Sequence, residues 1–257
     1  MSAFMDDSFL EDRHDSIVHI PRDLPVSSEI VGNSEVKFLF INSNSAIYKT
    51  IFTFIKDFAF LFLTPKEIEI LKGFSVDKRR VEWVMGRICI KSLLLHCMGW
   101  KQGFHRIEIL KGESGEPLVV LKQNGFKIYQ PSYFVSLSHR NGSCVSALSK
   151  NPVGIDLEIA ENLDNSMMED YFDCREKDLL DSLLSHLVNF NIPLGWSMKE
   201  SVLKVLKLGL SVSPKSVTIE SIDPDYMTAL LKYEHQQEFE CKFIIEHPYI
   251  ISISSMR

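Results

Sequence analysis

The sequence predicts an α+β fold, and three observations carry that reading. Two long stretches place apolar residues at helical spacing. A run of alternating apolar and polar residues lies between them, with turn signals at its bends. A short motif recurs in both helices with the same internal spacing, which points to two related halves facing across a cleft. At 257 residues, 45% hydrophobic and 24% charged, the chain suits one large domain or two modest ones, either able to bury a real core.

Taken in order, residues 1–36 are polar and carry Pro21 and Pro25, so they read as an N-terminal extension, either a lead-in or peripheral strands. A first half is expected over 37–152 and a second over 153–257. Thr64-Pro65-Lys66-Glu67 reads as a helix start, with Thr64 as N-cap, Pro65 in the first helical position and acid in the first turn; the helix should run to about Lys72. From Asp77 to Met98, Val81, Val84, Met85, Ile88 and Leu95 mark one face of a long amphipathic helix. Arg80, Arg87 and Lys91 share another stripe, which by itself reads as a solvated basic face. Gly112, Gly115 and Pro117 then mark a loop.

From Phe134 the period becomes two. Val135 and Leu137 alternate with Ser136 and Ser138, Asn141-Gly142 makes a turn, and Cys144 to Leu148 return as the second arm of a hairpin. After Asn151-Pro152 comes Val153 to Ile159, with Ile155, Leu157 and Ile159 on one face and Asp156 and Glu158 on the other. Trp196 to Leu208 reads as the second strong helix, with Glu200 and Lys204 one turn apart. Val217-Thr218-Ile219 and Tyr249 to Ile253 read as strands that close the second half. The recurring motif is Trp83-x-Met85-x-Arg87 with Lys91, set against Trp196-x-Met198-x-Glu200 with Lys204.

Composition narrows the function. A net charge of −6 argues against nucleic-acid binding over a broad face. The five cysteines are scattered, with no Cys-x-x-Cys pair to suggest zinc or redox chemistry. The acidic N-terminus has no secretion-signal pattern, and the longest apolar stretch, Ile51 to Leu63, is short for a membrane span and carries Lys56 and Asp57. A cytoplasmic enzyme is the expectation. Mg²⁺ takes a few carboxylates plus substrate phosphates, and Asp156, Glu158 and Glu200 could supply such a set. Alone, an Asp-x-Glu strand is routine at a sheet edge, and Glu200 with Lys204 is an ordinary helix ion pair.

Order and context add to this. Ser138-His139 at the end of a hairpin arm, then Gly154-Ile155-Asp156-Leu157-Glu158, then Trp196-Ser197-Met198-Lys199-Glu200-x-x-x-Lys204, together resemble the Sfp-type 4′-phosphopantetheinyl transferases. Gly86-Arg87 with Lys91, and Gly112 to Pro117, extend the resemblance, which runs from about Thr64 to Leu210. It implies a pseudodimer of two similar α+β halves. It also implies transfer of the 4′-phosphopantetheine arm of coenzyme A to a serine of an apo acyl or peptidyl carrier protein, with release of 3′,5′-ADP. Asp156, Glu158 and Glu200 would bind the Mg²⁺ cofactor, Asp156 beside the coenzyme A pyrophosphate. Glu200 would be the base, and Lys204 would lie against the phosphates. Ser138 would meet a pyrophosphate oxygen, His139 the 3′-phosphate, and Gly115, Glu116 and Pro117 the adenosine. Arg79 and Arg87 resemble the residues that grip the 3′-phosphate.

The chain departs from the Sfp pattern in having Glu67 and Ile70 where that subgroup places lysines, and Arg140 where a small residue is common. Two other functions use the same residues. One is a Mg²⁺-dependent phosphodiesterase that removes the arm from a carrier protein, and the other is a non-enzymatic coenzyme A-binding protein. The expected partners are coenzyme A and the carrier, with no nucleic acid and no membrane, and the expected state is a monomer. Lys207 and Lys215, around Leu208, Leu210, Val212 and Pro214, form the candidate carrier-docking surface.

Overall fold

The computed structural model describes residues 26–45, 59–99, 103–123, 126–129, 133–160, 170–183 and 190–257, with isolated positions between 48 and 53. Most of the polar extension and the middle of the Ile51 to Leu63 stretch lie outside the described residues. Strands β1 (Val26–Val31) and β2 (Ser34–Ile41) form a hairpin, so pairing begins before residue 37. Helices α1 (Pro65–Lys72) and α2 (Asp77–Met98) follow. Strands β3 (Ile107–Lys111), β4 (Pro117–Gln123) and β5 (Phe126–Tyr129) make a three-stranded sheet. Hairpin β6 (Phe134–Arg140) and β7 (Ser143–Ser149) joins β1 and β2 in the order β1-β2-β7-β6. Then come β8 (Val153–Ile159), α3 (Cys174–Asp181), α4 (Asn191–Val205), β9 (Val217–Asp223), β10 (Thr228–Tyr233), β11 (Gln237–Glu246) and β12 (Tyr249–Met256). These last strands form an antiparallel sheet ordered β8-β12-β11-β10-β9.

The α+β reading holds, and many boundaries match. Thr64 caps α1 with both arms of a capping box to Glu67 in place, and α2 spans the expected residues. At Asn141 and Gly142, φ values of 47° and 82° suit the tight hairpin connection. Helix α4 starts at Asn191, earlier than Trp196, because Pro193 is tolerated in a first turn whose N–H groups lack helical acceptors. It ends at Val205, before Leu208, because Lys207 turns left-handed at φ 58°. Strands β3, β4, β5, β10 and β11 and helix α3 are additions to the sequence reading.

Three apolar clusters organise the described residues. One lies under α2 and includes Val84, Met85, Ile88 and Leu93; a second lies under α4 and includes Met198, Val202, Leu203 and Phe243. The third, with Val145, Ala147, Ile155, Leu157, Ile251 and Ile253, fills the space between the two large sheets. Thus Ile155 and Leu157 face the inter-sheet core as their alternation predicts, and Asp156 and Glu158 turn away toward α4. At the seam between the sheets, β6 lies beside β8 with Ser136 Oγ accepting from the Ile155 N–H at 3.0 Å. Among the described residues no helix is long and apolar enough to cross a membrane.

The recurring helix motif aligns the wrong turns. Lys91 is not on a solvated face: it is fully buried against Glu67. Its structural counterpart is Lys199, fully buried against Glu176, and not Lys204. The correct register is therefore five residues from the one the Trp-x-Met spacing gives. The spacing recorded two similar amphipathic helices, whereas buried ion pairs record where each helix sits.

Candidate active site

The site is built along the seam. On β6, Ser136, Ser138 and Arg140 point across to β8, as period two requires, and each meets a partner there. Ser138 Oγ donates to Asp156 Oδ1 at 2.8 Å, and Arg140 Nε lies 3.2 Å from Glu158 Oε2. Lys204 of α4 donates to Asp156 Oδ1 at 2.6 Å and to the Ile155 carbonyl at 3.0 Å. It also lies 3.9 Å from Glu200 one turn earlier. Helix α4 gets this near because Gly154 has no side chain: a Cβ there would come within 1.8 Å of the Ser201 carbonyl oxygen. Ser138, His139, Arg140, Asp156, Glu158 and Glu200, with Leu157 and Trp196, line one cleft of about 350 Å³.

Although β8 is an edge strand, its carboxylates are not routine edge charges. Asp156 is 1% exposed and Glu158 8%. Burial pushes the Asp156 carboxyl up, but the Lys204 charge and hydrogen bonds from Lys204 and Ser138 outweigh this and hold it below its ordinary 3.8. Glu158 and Glu200 go the other way. Burial first, and then the neighbouring Asp156 charge, push both up to about 7, with Arg140 offsetting part of the rise at Glu158 and Lys204 part at each. Three carboxylates thus share one cleft with too little positive charge.

That deficit fits a divalent cation. Asp156 Oδ2 is buried with no hydrogen-bond partner, an acceptor that a cation could satisfy. Among the described residues, no three acidic, His or Cys side chains are already drawn into a metal cluster. An open arrangement suits Mg²⁺, which usually takes one or two protein carboxylates and completes its shell with phosphate oxygens and water.

A second cleft of about 470 Å³ adjoins the first and includes Phe74, Arg79, Trp83, Arg87, Leu137 and His139. His139 lines both. Arg87 stacks on Trp83 with its guanidinium carbon 3.7 Å from the ring centre, and Arg79 lies over Phe74 at 5.3 Å. Burial lowers Arg87 to about 10, and its Nε has no hydrogen-bond partner. The structure therefore gathers Arg79, Arg87 and His139 in one place, as expected from the sequence. Gly115, Glu116 and Pro117 line neither cleft. Glu116 instead reaches Lys207, just beyond α4, at 3.7 Å. Leu208 and Val212 pack partly against the second core, and the Leu210 side chain lies outside the described residues.

Sequence reasoning missed the buried pairs Glu67–Lys91 and Glu176–Lys199, and the Arg140–Glu158 contact. The pairs left one signal: each acid stands three residues after a Thr or Asp helix cap, Thr64 and Asp173.

Comparison with known proteins finds relatives of one family. Residues 152–254, from β8 to β12, match the model of the 4′-phosphopantetheinyl transferase superfamily. The chain is 29% identical over 148 residues to the 4′-phosphopantetheinyl transferase psf-1 of Bacillus pumilus, covering 56% of this chain and 57% of that protein. It is 34% identical over 85 residues to a holo-[acyl-carrier-protein] synthase of Streptococcus agalactiae, covering 32% of this chain and 67% of that protein. Among solved structures, the holo-[acyl-carrier-protein] synthase of Helicobacter pylori in complex with coenzyme A superposes with a TM-score of 0.34 at 16% identity, over 41% of this chain and 99% of that one. The Thermotoga maritima synthase gives 0.33 at 17% identity, over 54% and 74%. The chain belongs to the 4′-phosphopantetheinyl transferase superfamily. It spans a little over half the length of the Bacillus pumilus relative.

Proposed function

We propose that this protein transfers the 4′-phosphopantetheine arm of coenzyme A to a serine of an apo acyl or peptidyl carrier protein, releasing 3′,5′-ADP. One observation carries the reading: a carboxylate cleft holding Asp156, Glu158 and Glu200 adjoins a cationic, aromatic cleft holding Arg79 and Arg87, with His139 at the junction. Such a pair of sites suits a ligand with a pyrophosphate at one end and a further phosphate near an aromatic ring at the other. The names of the relatives, a 4′-phosphopantetheinyl transferase and a holo-[acyl-carrier-protein] synthase, are in keeping with transfer of that arm to an acyl carrier protein. Residues 37–152 would form the coenzyme A half, and 153–257 the catalytic half.

Asp156, Glu158 and Glu200 would hold Mg²⁺, which when bound supplies charge neutralisation at the pyrophosphate. Phosphoryl transfer depends mainly on positioning and charge, so the side chains divide those tasks. Glu200, which lines the carboxylate cleft one turn before Lys204, would take the proton from the serine hydroxyl. Lys204 neutralises charge on the leaving phosphate, and its bond to Asp156 aims it there. Arg87 and Arg79 grip the 3′-phosphate with His139, and Arg87 is oriented by Trp83. Gly115, Glu116 and Pro117 line neither cleft and have no part in this arrangement.

The test is incubation of the protein with coenzyme A, Mg²⁺ and a panel of apo carrier proteins, read by mass spectrometry. A carrier should gain the mass of one arm. Loss of the arm from holo carrier would instead identify the phosphodiesterase, and binding of coenzyme A with no carrier change would identify a binder.

A further inference from the structure

Arg140 stands in the carboxylate cleft at the last position of β6, before the Asn141-Gly142 turn. Its Nε lies 3.2 Å from Glu158 Oε2, and both side chains line the cleft that also holds Asp156 and Glu200. Period two along β6 places it on the seam-facing row with Ser136 and Ser138, so its direction follows from the strand and not from a loose loop. The Glu158 side chain is 11% exposed and that of Arg140 39%, so one member of the pair is anchored while the other can reach solvent.

Two cationic groups thus already sit on the carboxylates proposed for the metal: Lys204 on Asp156, and Arg140 on Glu158. Lys204 is held on its far side by the Ile155 carbonyl. Arg140 has a longer reach and a planar fork of donors that matches phosphate oxygens.

We propose that Arg140 is a cation held on Glu158 in the metal-free protein, which yields that carboxylate to a divalent cation and then donates to the phosphate oxygens of the bound pyrophosphate. The inference rests on the metal and pyrophosphate assignments above and adds a residue to them. Arg140 therefore weakens binding of the metal alone and strengthens binding of pyrophosphate once metal is present.

The test uses the full chain, with Mn²⁺ followed by its free-ion electron paramagnetic resonance signal and inorganic pyrophosphate followed by calorimetry. Arg140→Gln should bind Mn²⁺ alone about fivefold more tightly, because a competing charge is gone, and Mn²⁺-dependent pyrophosphate about fivefold more weakly. Arg140→Lys, which keeps the charge without the fork, should recover the metal affinity of the parent but not its pyrophosphate affinity. Unchanged or weaker Mn²⁺ binding by Arg140→Gln overturns the competition. Unchanged pyrophosphate binding overturns the donor role. Asp156→Asn separates this from the underlying reading: normal Mn²⁺ affinity in that variant removes the metal centre itself, whereas loss there with no change in Arg140→Gln defeats only the role of Arg140.

Discussion

The two halves share one internal brace and differ in what they display beside it. In the first half, Glu67 closes the capping box of α1, accepts from the Ile109 N–H of β3 at 2.9 Å and pairs with Lys91 of α2, which also donates to the Phe62 carbonyl at 2.8 Å. In the second, Glu176 closes the box of α3, accepts from the Ile219 N–H of β9 at 2.8 Å and pairs with Lys199 of α4, which also donates to the Tyr171 carbonyl at 2.7 Å. Acid and lysine are separated by 24 residues in one half and 23 in the other. Each brace ties a short helix, a long helix and a strand to one buried acid. Burial lowers both lysines, Lys91 to about 8, and the acids offset part of that cost.

What differs is the neighbouring turn. One turn before Lys91 stands Arg87, stacked on Trp83; immediately after Lys199 stands Glu200, beside Asp156 and Lys204. A common scaffold therefore holds two long helices firmly, and the chemistry diverges through single side chains that the brace keeps in place. The first half offers positive charge and aromatic surface, and the second offers carboxylates.

The largest effects should come from the braces. Lys91→Met and Lys199→Met each leave a buried glutamate without its cation and should each lower unfolding free energy by about 3–5 kcal/mol in urea titrations. Similar losses would support equivalent roles; a small loss in one half alone would break the comparison. Glu200→Gln, next in size, should reduce turnover at least about a hundredfold while coenzyme A affinity stays within about tenfold, because shape is kept and a base is lost. Near-normal turnover would remove Glu200 from the chemistry.

On the other side of the seam, Arg87→Ala should weaken coenzyme A binding about tenfold and leave dephospho-coenzyme A almost unchanged, since only the former carries the 3′-phosphate. Equal loss for both ligands would place Arg87 elsewhere.

The smallest expected effect is a pH dependence between about 4.5 and 7 that arises from two carboxylates of the second half. Glu158 and Glu200 ordinarily titrate at 4.5 and are pushed up to about 7 in the folded protein. Between those values the native state binds more protons than the unfolded chain, so these two groups make metal-free stability fall as pH rises from about 4.5 to 7. Asp156 acts oppositely, its contribution being lost as pH falls below its ordinary 3.8. Mg²⁺ should restore stability at the upper end of the window and release protons as it binds. Thermal melts across this range, with and without Mg²⁺, check both signs. Neutralising Glu158 and Glu200 by substitution should flatten the slope, and the same slope in that variant would assign it to other groups.

By itself, the sequence determined several of the elements and a candidate set of site residues. Periodicity marked α2, the β6–β7 hairpin and the two faces of β8, because helical and strand spacings are local properties that side-chain order alone records. It also named Asp156, Glu158, Glu200 and Lys204, through the resemblance of their order around a glycine and a tryptophan to that of the 4′-phosphopantetheinyl transferases. The tertiary structure alone decided the register between the halves, since Lys91 reads as a surface charge until Glu67, 24 residues earlier, is seen against it. It likewise decided that Arg140 meets Glu158 and that Glu116 meets Lys207. Ion-pair partners in a folded chain are selected by distance through space, and burial removes the water that would otherwise screen each charge from its distant partner.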